Sequence, residues 1–576
     1  MSKIIGFDTE TIFNGYTYNF YSFQAFSEEL GLNLFSTSVD EISKVFNRDT
    51  RGAILLMKKM EYDLAVLRKI LSPKQYKITI TYNKAKPVKA LIRRKDISSV
   101  YSWRIYDLEN LFPNKTLAQI GQLIGCQKLP RPPYLGLRPP QNNGEFNHFR
   151  AYALRDAEIC YRAGKYILAK FNKLRPTLPS ISYADLLSNF VKKGLFAHWI
   201  ADGGEWFKQF YKGGRVEAFW RGTTQEKIYL YDVNSLYPFV MYSFPYPKFI
   251  SEPEEKSDVN LDYEGVAYCK VKVDAEIPPV GIRHYCDDKK VKFVFPTGIF
   301  SGFFTYPELR LLEESRVGKI LKVNNAFEFR ERFYPFRDFV EFYHSLKLTD
   351  TQNREFWKLY LNSVYGKFGQ SGKLKHYQIL KDGEMKEFKF ENKKRNKKRS
   401  WVKQNYVISA YITAYARLYM WDLMRKVGFD NIIYTDTDSI FTTKRLTFTK
   451  KGLGQLELKS ESENGEKASF IRSKFYIIGN TVKCKGLHIP ITGEILRKLI
   501  AQQNTELLEK RLLRLREAFR THHYFLTEVE RRFTPSFKPD GKRLYLKNLN
   551  GKELVEEITT SRPLVLKNVK EVVRRA

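Results

Sequence analysis

The sequence YTDTDS at residues 434–439 decides how this chain is interpreted. Apolar residues at 432–433 and 440–441 flank it, which predicts two short buried strands joined by an acidic turn. Because side chains alternate faces along a strand, Asp436 and Asp438 can point the same way. Two carboxylates on one face repel each other unless a cation lies between them. The stretch therefore predicts a metal site for a phosphate-bearing substrate, with a solvated hairpin tip as the alternative.

The composition narrows the function further. With 576 residues the chain exceeds what one hydrophobic core supports, so several domains are expected. No apolar run is long enough to cross a bilayer, and the N-terminus lacks the pattern of a secretory signal. The five scattered cysteines show no zinc-ligand spacing and favour a reducing cytoplasm. A net charge of +35 with 15% aromatic residues predicts a nucleic-acid partner, and a charge that serves only solubility is the alternative.

Two further segments carry the chemistry expected around such a metal site. Residues 228–233 (IYLYDV) predict a strand that ends at the carboxylate of Asp232 and is followed by a tight turn. Residues 358–366 (KLYLNSVYG) predict a helix. Helical spacing puts four polar or small residues on one face of this helix, with Arg354 one turn earlier. They are the cation Lys358, the amide Asn362, the aromatic ring of Tyr365 and the bare backbone of Gly366. This face suits a nucleotide better than a hydrophobic core, although an ordinary amphipathic helix is the alternative.

These segments resemble motifs A, B and C of the family B DNA polymerases, in the order DVNSLYP (232–238), KLYLNSVYG (358–366) and YTDTDS (434–439). Within that family the chain looks most like the protein-primed branch of phages and linear plasmids. YKGG at 211–214 resembles the Tyr-x-Gly-Gly linker of that branch, and KFY at 474–476 resembles its Lys-x-Tyr primer-binding motif. The resemblance implies that these elements contact DNA through Tyr211, Gly213, Gly214, Lys474, Tyr476 and Arg354.

The resemblance also implies the roles of the polymerase residues. Two Mg²⁺ ions, for which Mn²⁺ can substitute, would be held by the carboxylates of Asp232, Asp436 and Asp438 and the carbonyl of Val233. Lys358, and less directly Lys347, would contact the incoming triphosphate. The nucleotide-binding face would comprise Tyr237, Asn362, Tyr365 and Gly366. In this set the ring of Tyr237 would occupy the space that a ribose 2′-hydroxyl needs, so deoxynucleotides are the expected substrates.

A second acidic site is expected near the N-terminus. DTE at 8–10 follows a predicted strand, and YALRD at 152–156 lies in a helix predicted from about 148 to 174. Together with Asp63 in MEYDL (60–64), these segments resemble the three motifs of a ribonuclease-H-like 3′–5′ proofreading exonuclease. The implied ligands of two more Mg²⁺ ions are Asp8, Glu10, Asp63 and Asp156, with Tyr152 orienting the attacking water. Single-stranded DNA would contact Tyr62, Thr116 and Leu117, and a buried Thr-Leu pair at a helix start is the alternative for the last two. The family's usual Asn four residues before the second-motif Asp is Lys59 here, which puts single-strand binding at this position in doubt.

The implied architecture is α/β and α+β, with an exonuclease domain followed by a right-hand polymerase of palm, fingers and thumb. The expected parts are the exonuclease domain (1–175), a linker and first palm strands with motif A (176–243), a first insertion with palm strands (244–342), fingers with motif B (343–371), a second insertion (372–403), palm with motif C (404–490), and thumb with the C-terminal region (491–576). The first insertion would contact a terminal protein that primes synthesis. The second would support processivity and strand displacement through a basic run that includes Lys394 and Arg395. Residues 507–533 are predicted to be helical and basic.

The sequence thus predicts a template-directed DNA polymerase with proofreading that copies a linear phage or plasmid genome. Its expected partners are template-primer DNA, deoxynucleotides and a terminal protein; a monomer without membrane contact, in the cytoplasm of a host, is expected. Primer-independent initiation is the alternative within the family. A nuclease with a vestigial polymerase half and a non-catalytic DNA-binding protein are the alternatives outside it.

Overall fold

The computed structural model describes residues 3–15, 17–95, 101–191, 204–248, 254–370, 374–380, 385–388, 405–447, 452–503, 506–513, 515, 517 and 528–573. Within these residues the helices are α1 (Met60–Ile70), α2 (Leu108–Leu111), α3 (Leu117–Leu123), α4 (Asn143–Phe171), α5 (Leu178–Asp185), α6 (Gly204–Phe207), α7 (Leu236–Ser243), α8 (Tyr306–Glu314), α9 (Arg337–Thr349), α10 (Arg354–Ser363), α11 (Tyr365–Phe368), α12 (Tyr406–Val427), α13 (Gly493–Gln502) and α14 (Glu553–Glu556).

The strands are β1 (Ile4–Phe13), β2 (Tyr18–Ser27), β3 (Leu32–Ser36), β4 (Ile54–Met57), β5 (Tyr76–Asn83), β6 (Lys86–Arg94), β7 (Ser102–Asp107), β8 (Val216–Ala218), β9 (Trp220–Thr224), β10 (Tyr229–Val233), β11 (Tyr246–Pro247), β12 (Glu254–Lys256), β13 (Glu264–Val273), β14 (Ile282–Tyr285), β15 (Val291–Val294), β16 (Thr297–Thr305), β17 (Gly318–Phe329), β18 (Arg332–Phe333), β19 (Leu374–Ile379), β20 (Met385–Phe388), β21 (Ile432–Asp436), β22 (Ser439–Thr442), β23 (Leu456–Glu461), β24 (Ala468–Arg472), β25 (Phe475–Ile478), β26 (Thr481–Cys484), β27 (Leu507–Leu512), β28 (Glu528–Phe533), β29 (Arg543–Tyr545), β30 (Ile558–Pro563) and β31 (Val565–Lys570).

The N-terminal domain is built on a mixed sheet in the order β20-β19-β5-β6-β7-β4-β1-β2-β3. β1 and β4 are parallel, as are β4 and β7, because crossover segments join them. The long helix α4 packs over one side of β1 through Gly6, whose missing side chain lets the backbone of the helix approach. β19 and β20 come from the segment between α11 and α12, yet they extend this sheet through antiparallel pairing of β19 with β5.

The centre of the second half is a sheet in the order β23-β10-β22-β21-β8, with antiparallel pairing of β10 to β22 and of β22 to β21. α12 is apolar on nearly all sides, because it is buried within the core that this sheet shares with the surrounding helices. Two further sheets, in the orders β12-β17-β13-β16-β31 and β26-β25-β24-β9-β30-β29, contain strands from the last part of the chain. The C-terminal strands thus close sheets begun several hundred residues earlier.

Several predicted elements can be compared with the structure. The hairpin around residues 434–439 is confirmed by β21 and β22, and the helix predicted for about 148–174 is confirmed by α4. The helix predicted for 358–366 is split at Val364, where α10 ends and α11 begins, although Val364 keeps right-handed helical backbone angles.

The prediction that residues 507–533 are helical was wrong for residues 507–512 and 528–533, whereas the described residues 515 and 517 are helical. β27 and β28 pair antiparallel there. Opposite charges face each other across the pair, with Glu509 3.4 Å from Arg531 and Lys510 3.8 Å from Glu530. Such cross-strand pairs stabilise a hairpin, and here they outweigh the helix propensity of Leu, Glu, Lys and Arg.

We expect Gly6→Ala to destabilise the N-terminal domain. A Cβ at position 6 would lie 1.8 Å from the carbonyl oxygen of Ala157 and 2.5 Å from the backbone nitrogen of Tyr161, so α4 would have to move. Overpacking costs about 1–3 kcal/mol where side chains can yield, and backbone atoms yield less. Thermal unfolding measures the loss. Gly144→Ala, in the exposed first turn of α4, is the control, and an equal melting temperature for both variants would contradict the assignment.

Candidate active sites

The acidic hairpin places its two carboxylates differently from the simple alternation that the sequence suggested. Asp436 ends β21, and Asp438 lies in the turn, because Thr437 adopts a left-handed conformation with φ of 66°. The turn is fixed by backbone hydrogen bonds: the Thr437 N–H donates to the carbonyl of Arg215 at 2.7 Å, and the Val233 N–H donates to the carbonyl of Asp438 at 2.8 Å. These backbone hydrogen bonds fix the turn from which both carboxylates project.

Asp232 and Asp436 lie on the same side of the central sheet. Each is directly opposite Ser439 on β22, which separates their two strands. Directly opposed residues of an antiparallel pair share a face, and two strand spacings correspond to about 10 Å between the backbones. The residue that register places between these two aspartates is the small Ser439. Burial, followed by the charge of Asp438, raises the pKa of Asp232 to about 6, so anionic groups are crowded here.

A lysine from a distant segment neutralises Asp436. The amine of Lys474 donates to both carboxylate oxygens, at 2.9 and 3.0 Å, and the Tyr434 hydroxyl donates to one of them at 3.2 Å. Lys474 itself has a left-handed backbone, with φ of 61°. The ring of Tyr476 packs against Tyr434 at 5.7 Å between centroids. The Lys-x-Tyr segment identified in the sequence therefore lies against the acidic hairpin.

The YKGG segment is packed against the same turn. A Cβ on Gly214 would lie 2.8 Å from the side chain of Thr437, so only glycine fits between the segment and the hairpin. Arg417 of α12 donates to the carbonyl of Gly213 at 2.9 Å, and its other nitrogen pairs with Glu308 at 2.8 Å in a fully buried ion pair. Sequence reasoning did not identify this pair, because no local pattern links residues 308 and 417.

The predicted nucleotide face is assembled beside these carboxylates. The rings of Tyr237 on α7 and Tyr365 on α11 are stacked, with 3.9 Å between centroids and 17° between planes. A Cβ on Gly366 would meet nothing within 4 Å, so the backbone there has open space in front of it. Asn362 donates to the carbonyl of Lys358 one turn earlier at 2.9 Å.

Two lysines bring positive charge to this face in different ways. Lys358 is exposed on α10, and its charge lowers the pKa values of Asp232 and Asp438 against the larger effect of burial. Lys347 is buried and donates to Asn234 Oδ1 at 2.9 Å and to Ser235 Oγ at 3.2 Å, in the turn that follows Asp232. Burial, then the charge of Lys358, lowers the pKa of Lys347. Arg354 is exposed at the start of α10.

The N-terminal carboxylates form the tightest acidic cluster of the described residues. One oxygen each of Asp8, Glu10 and Asp156 lies within 4.8 Å of the others. Burial, then the charge of Asp156, raises the pKa of Asp8 to about 7. Burial, then Asp8, raises the pKa of Glu10 well above its ordinary value. A cation bound among them would remove the repulsion that keeps these carboxyl groups protonated.

Asp63 approaches the cluster from α1. One of its oxygens accepts hydrogen bonds from the backbone and hydroxyl of Thr9 at 3.1 and 2.7 Å. The other oxygen, Oδ2, is buried without a hydrogen-bond partner, as is Oδ1 of Asp156. Buried carboxylate oxygens normally have partners, so these two atoms fit the ligand set of a divalent cation.

Lys128 is a functional candidate that the sequence did not reveal. Its amine forms an ion pair with Asp156 and lies 4.3 Å from the ring centre of Tyr152. Burial lowers the pKa of this amine, but the Asp156 carboxylate and Tyr152 together raise it by more, so the net pKa is raised. Lys128 stands just before a proline-rich loop, and no spacing in the sequence connects it to the helix that carries Asp156.

The predicted single-strand contacts are in different surroundings, and only Tyr62 is shown close to this cluster. The hydroxyl of Tyr62 is hydrogen-bonded to Thr11, which follows Glu10 on β1. Thr116 is the N-cap of α3 and forms a capping box with Gln119, so its hydroxyl has a structural role, while Leu117 packs against the core. Lys59 precedes α1 with a left-handed φ of 64°, a conformation that suits Asn better than Lys. The departure at position 59 therefore carries backbone strain.

Two predicted contacts, Lys394 and Arg395, lie outside the described residues. Within the part of the chain that the structure describes, no helix is both long and apolar enough to span a membrane.

Comparisons with known proteins place these sites in context. The family model described as "DNA polymerase type B, organellar and viral" matches residues 156–447. A probable DNA polymerase of Ascobolus immersus is 26% identical over 328 residues, which are 52% of this chain and 26% of that protein. The DNA polymerase of Bacillus phage Nf is 27% identical over 269 residues, 43% of this chain and 45% of that protein. The chain thus matches less than half the length of these relatives.

A solved structure is similar over nearly the whole chain. Phi29 DNA polymerase complexed with primer-template DNA and incoming nucleotide substrates matches with a TM-score of 0.72 at 19% identity, covering 93% of this chain and 100% of that one. At this level of identity the match concerns the fold, and it confirms the multidomain architecture expected from the sequence.

In metal-free buffer we expect Asp8→Asn to raise the melting temperature at pH 8, with a smaller gain at pH 5. The pKa of Asp8 rises from 3.8 to about 7 on folding. Because the folded-state pKa is the higher one, ionisation destabilises the fold increasingly between these two values and fully above about 7. Thermal unfolding with EDTA measures both gains, and Asp49→Asn, at an exposed position, is the control. Equal gains at the two pH values would contradict this account.

Proposed function

The chain belongs to the organellar and viral type B DNA polymerases, and from this membership we propose that it is a template-directed DNA polymerase. The reaction is attack of a primer 3′-hydroxyl on the α-phosphate of a deoxynucleotide, with pyrophosphate as the leaving group. The observation that carries the proposal is the shared position of Asp232 and Asp436 opposite Ser439, on one side of the central sheet. A purely structural hairpin tip would need only its own residues, whereas here a third carboxylate, Asp232, comes from the separate strand β10.

The residues fit two divalent cations, taken here as Mg²⁺ with Mn²⁺ as a substitute. When bound, such ions lower the pKa of the attacking hydroxyl and neutralise the leaving oxygens. Asp232, Asp436 and Asp438, with the carbonyl of Val233, are the proposed ligands. Because Lys474 donates to both oxygens of Asp436, its amine holds the carboxylate in place and neutralises its charge. Its location also suits contact with the primer end.

The neighbouring side chains would select and hold the nucleotide. Lys358 is exposed and close enough to act electrostatically on Asp232, so it would meet the triphosphate. Lys347 would fix the turn of Asn234 and Ser235 beneath that triphosphate. The rings of Tyr237 and Tyr365, stacked on each other, would lie beside the sugar and base, and Tyr237 would exclude a ribose 2′-hydroxyl.

We place the enzyme in the protein-primed branch, replicating a linear phage or plasmid genome as a monomer. The close packing of Gly214 on Thr437 and the contact of Lys474 with Asp436 give the two branch-specific segments a structural role at the site. Two modes of initiation can be told apart by their product. Initiation on the hydroxyl of a terminal protein attaches a labelled nucleotide covalently to that protein, whereas initiation without a primer does not. The basic run after residue 388 would support strand displacement.

Asp436→Ala is expected to reduce primer extension by about 100-fold or more, because charge stabilisation at the reacting phosphate is lost. DNA binding, measured by fluorescence anisotropy with a primer-template, should change little. Asp430→Ala removes an exposed carboxylate just before the same strand and is the matched control. Extension by the Asp436 variant at the rate of the control would refute the assignment. Equal rates are also what a vestigial polymerase half would give.

A second activity, 3′–5′ exonuclease, is favoured by the cluster of Asp8, Glu10 and Asp156. We propose that these residues, with Asp63, hold two further divalent cations. Lys128 would balance the charge of Asp156 and limit the orientation of Tyr152, which would in turn orient the attacking water. A single strand would reach the cluster past Tyr62, Thr116 and Leu117.

The double variant Asp8→Ala/Glu10→Ala should lose exonuclease activity by about 100-fold or more and keep primer extension. Release of labelled nucleotides from a single-stranded oligonucleotide measures the first activity, and extension of a primer on an open template measures the second. Asp40→Ala/Asp49→Ala removes two exposed carboxylates of the same domain and is the control. Degradation by the double variant at the control rate would assign the cluster a structural role only.

A further inference from the structure

The nine strands of the N-terminal sheet are not covered evenly. α4 packs over β1, β2, β3 and β4 on the side that bears Asp8 and Glu10. Register extends this side across the rest of the sheet, because Ile4 is opposite Ile54, and Ile54 is opposite Arg104. Beyond β4, the strands β7, β6, β5, β19 and β20 bury their other side in the hydrophobic core. Most residues on this side are half-buried or exposed, apart from the buried Tyr106 and Thr81.

The accessible side is basic, and we call it the basic face. It carries one or two cations on each of β5, β6, β7 and β20. These are Lys77, Lys89, Arg93, Arg104 and Lys386, of which all but the half-buried Lys77 are exposed. Lys77 is directly opposite Arg93, and Lys386 is opposite Gln378 of β19. With about 4.8 Å between strands, the cations spread over about 19 Å from β7 to β20.

The charged side chains that the structure describes on this face are all basic. Among the described residues of the five strands, the acidic side chains Glu387 and Asp107 point to the opposite, core-facing side. The groups between the cations are neutral donors and acceptors such as Thr79 and Gln378. Isolated cations on a protein surface are ordinarily interspersed with anions, so a single-sign sheet face is suited to a polyanion.

The basic face is close to the proposed nucleotide site along the chain. β19 begins at Leu374, six residues after α11 ends at Phe368, and α11 carries Tyr365. Six residues of extended chain reach about 20 Å at most. The near end of β19, at the border of the basic face, is therefore at most about 20 Å from the end of the helix that carries Tyr365.

Resting on the polymerase function proposed above, we propose that the basic face binds single-stranded DNA, namely the strand displaced ahead of synthesis. A template strand must be held in fixed register for base selection, which flexible exposed lysines on an open surface do not provide. The displaced strand undergoes no chemistry and needs only sequence-independent contacts to its phosphates. A single strand can follow a twisted sheet, whereas a rigid duplex touches such a surface along one line.

The test compares two forked DNA substrates that differ only in an unpaired oligothymidylate 5′ flap on the non-template strand. Binding is measured without deoxynucleotides, by fluorescence anisotropy at several salt concentrations. We expect the flap to increase affinity about tenfold for the unaltered chain and less than about twofold for Lys89→Gln/Arg93→Gln/Lys386→Gln. The slope of log affinity against log salt for the flapped substrate should become shallower by about 2, since three cations are removed.

The control is Lys272→Gln/Lys319→Gln/Lys322→Gln, which removes three cations from exposed or edge positions of another sheet and should retain the flap effect. An unchanged flap effect in the test variant would overturn the proposal. An equal loss for both substrates would assign the face to the template or duplex, and slower degradation of a single-stranded oligonucleotide would assign it to the exonuclease; either result would also overturn it. The flap measurement requires no synthesis, so its outcome does not depend on the polymerase proposal. Primer extension on an open template tests that proposal separately.

Discussion

Repulsion between carboxylates held on one side of a sheet is the constraint on which both sites depend. In the central sheet, register brings Asp232 and Asp436 to the same side, and a left-handed Thr437 adds Asp438. In the N-terminal sheet, Asp8 and Glu10 meet Asp156 of α4. The raised pKa values at both places show that the fold opposes ionisation of these groups. Only the rest of the structure, packed tightly around them, keeps such groups together.

In each site one lysine and one glycine make that packing possible. Lys474 neutralises Asp436, and Lys128 neutralises Asp156. Gly214 admits the Thr437 turn in the first site, and Gly6 admits the backbone of α4 in the second. The lysines reduce the repulsion, and the glycines allow close approaches that a side chain would prevent. The same solution thus occurs twice on unrelated sheets.

The sequence revealed the parts of the sites that are contiguous in the chain. Asp436 with Asp438, and Asp8 with Glu10, are recognisable because a few residues bring two carboxylates together. Lys128 and Asp156 are 28 residues apart, and Arg417 and Glu308 are 109 apart, so only the fold pairs them. The strands at 507–512 and 528–533 were mistaken for helix, because cross-strand pairing is absent from local propensity. For the same reason nothing in residues 374–379 indicated that they extend a sheet begun at the N-terminus.

The N-terminal domain contacts the segment around α10 and α11 at two separate places. The end of α4 packs on α10, where the rings of Phe171 and Tyr360 stack at 4.6 Å and the Tyr166 hydroxyl donates to Asn353 at 2.6 Å. The segment after α11 then joins the N-terminal sheet through β19. A helix held from both ends cannot swing independently of that sheet. The helices that carry the proposed nucleotide face are therefore tied to the sheet that carries Asp8 and Glu10, and on the functions proposed above a primer strand would pass between the two sites by moving across the protein.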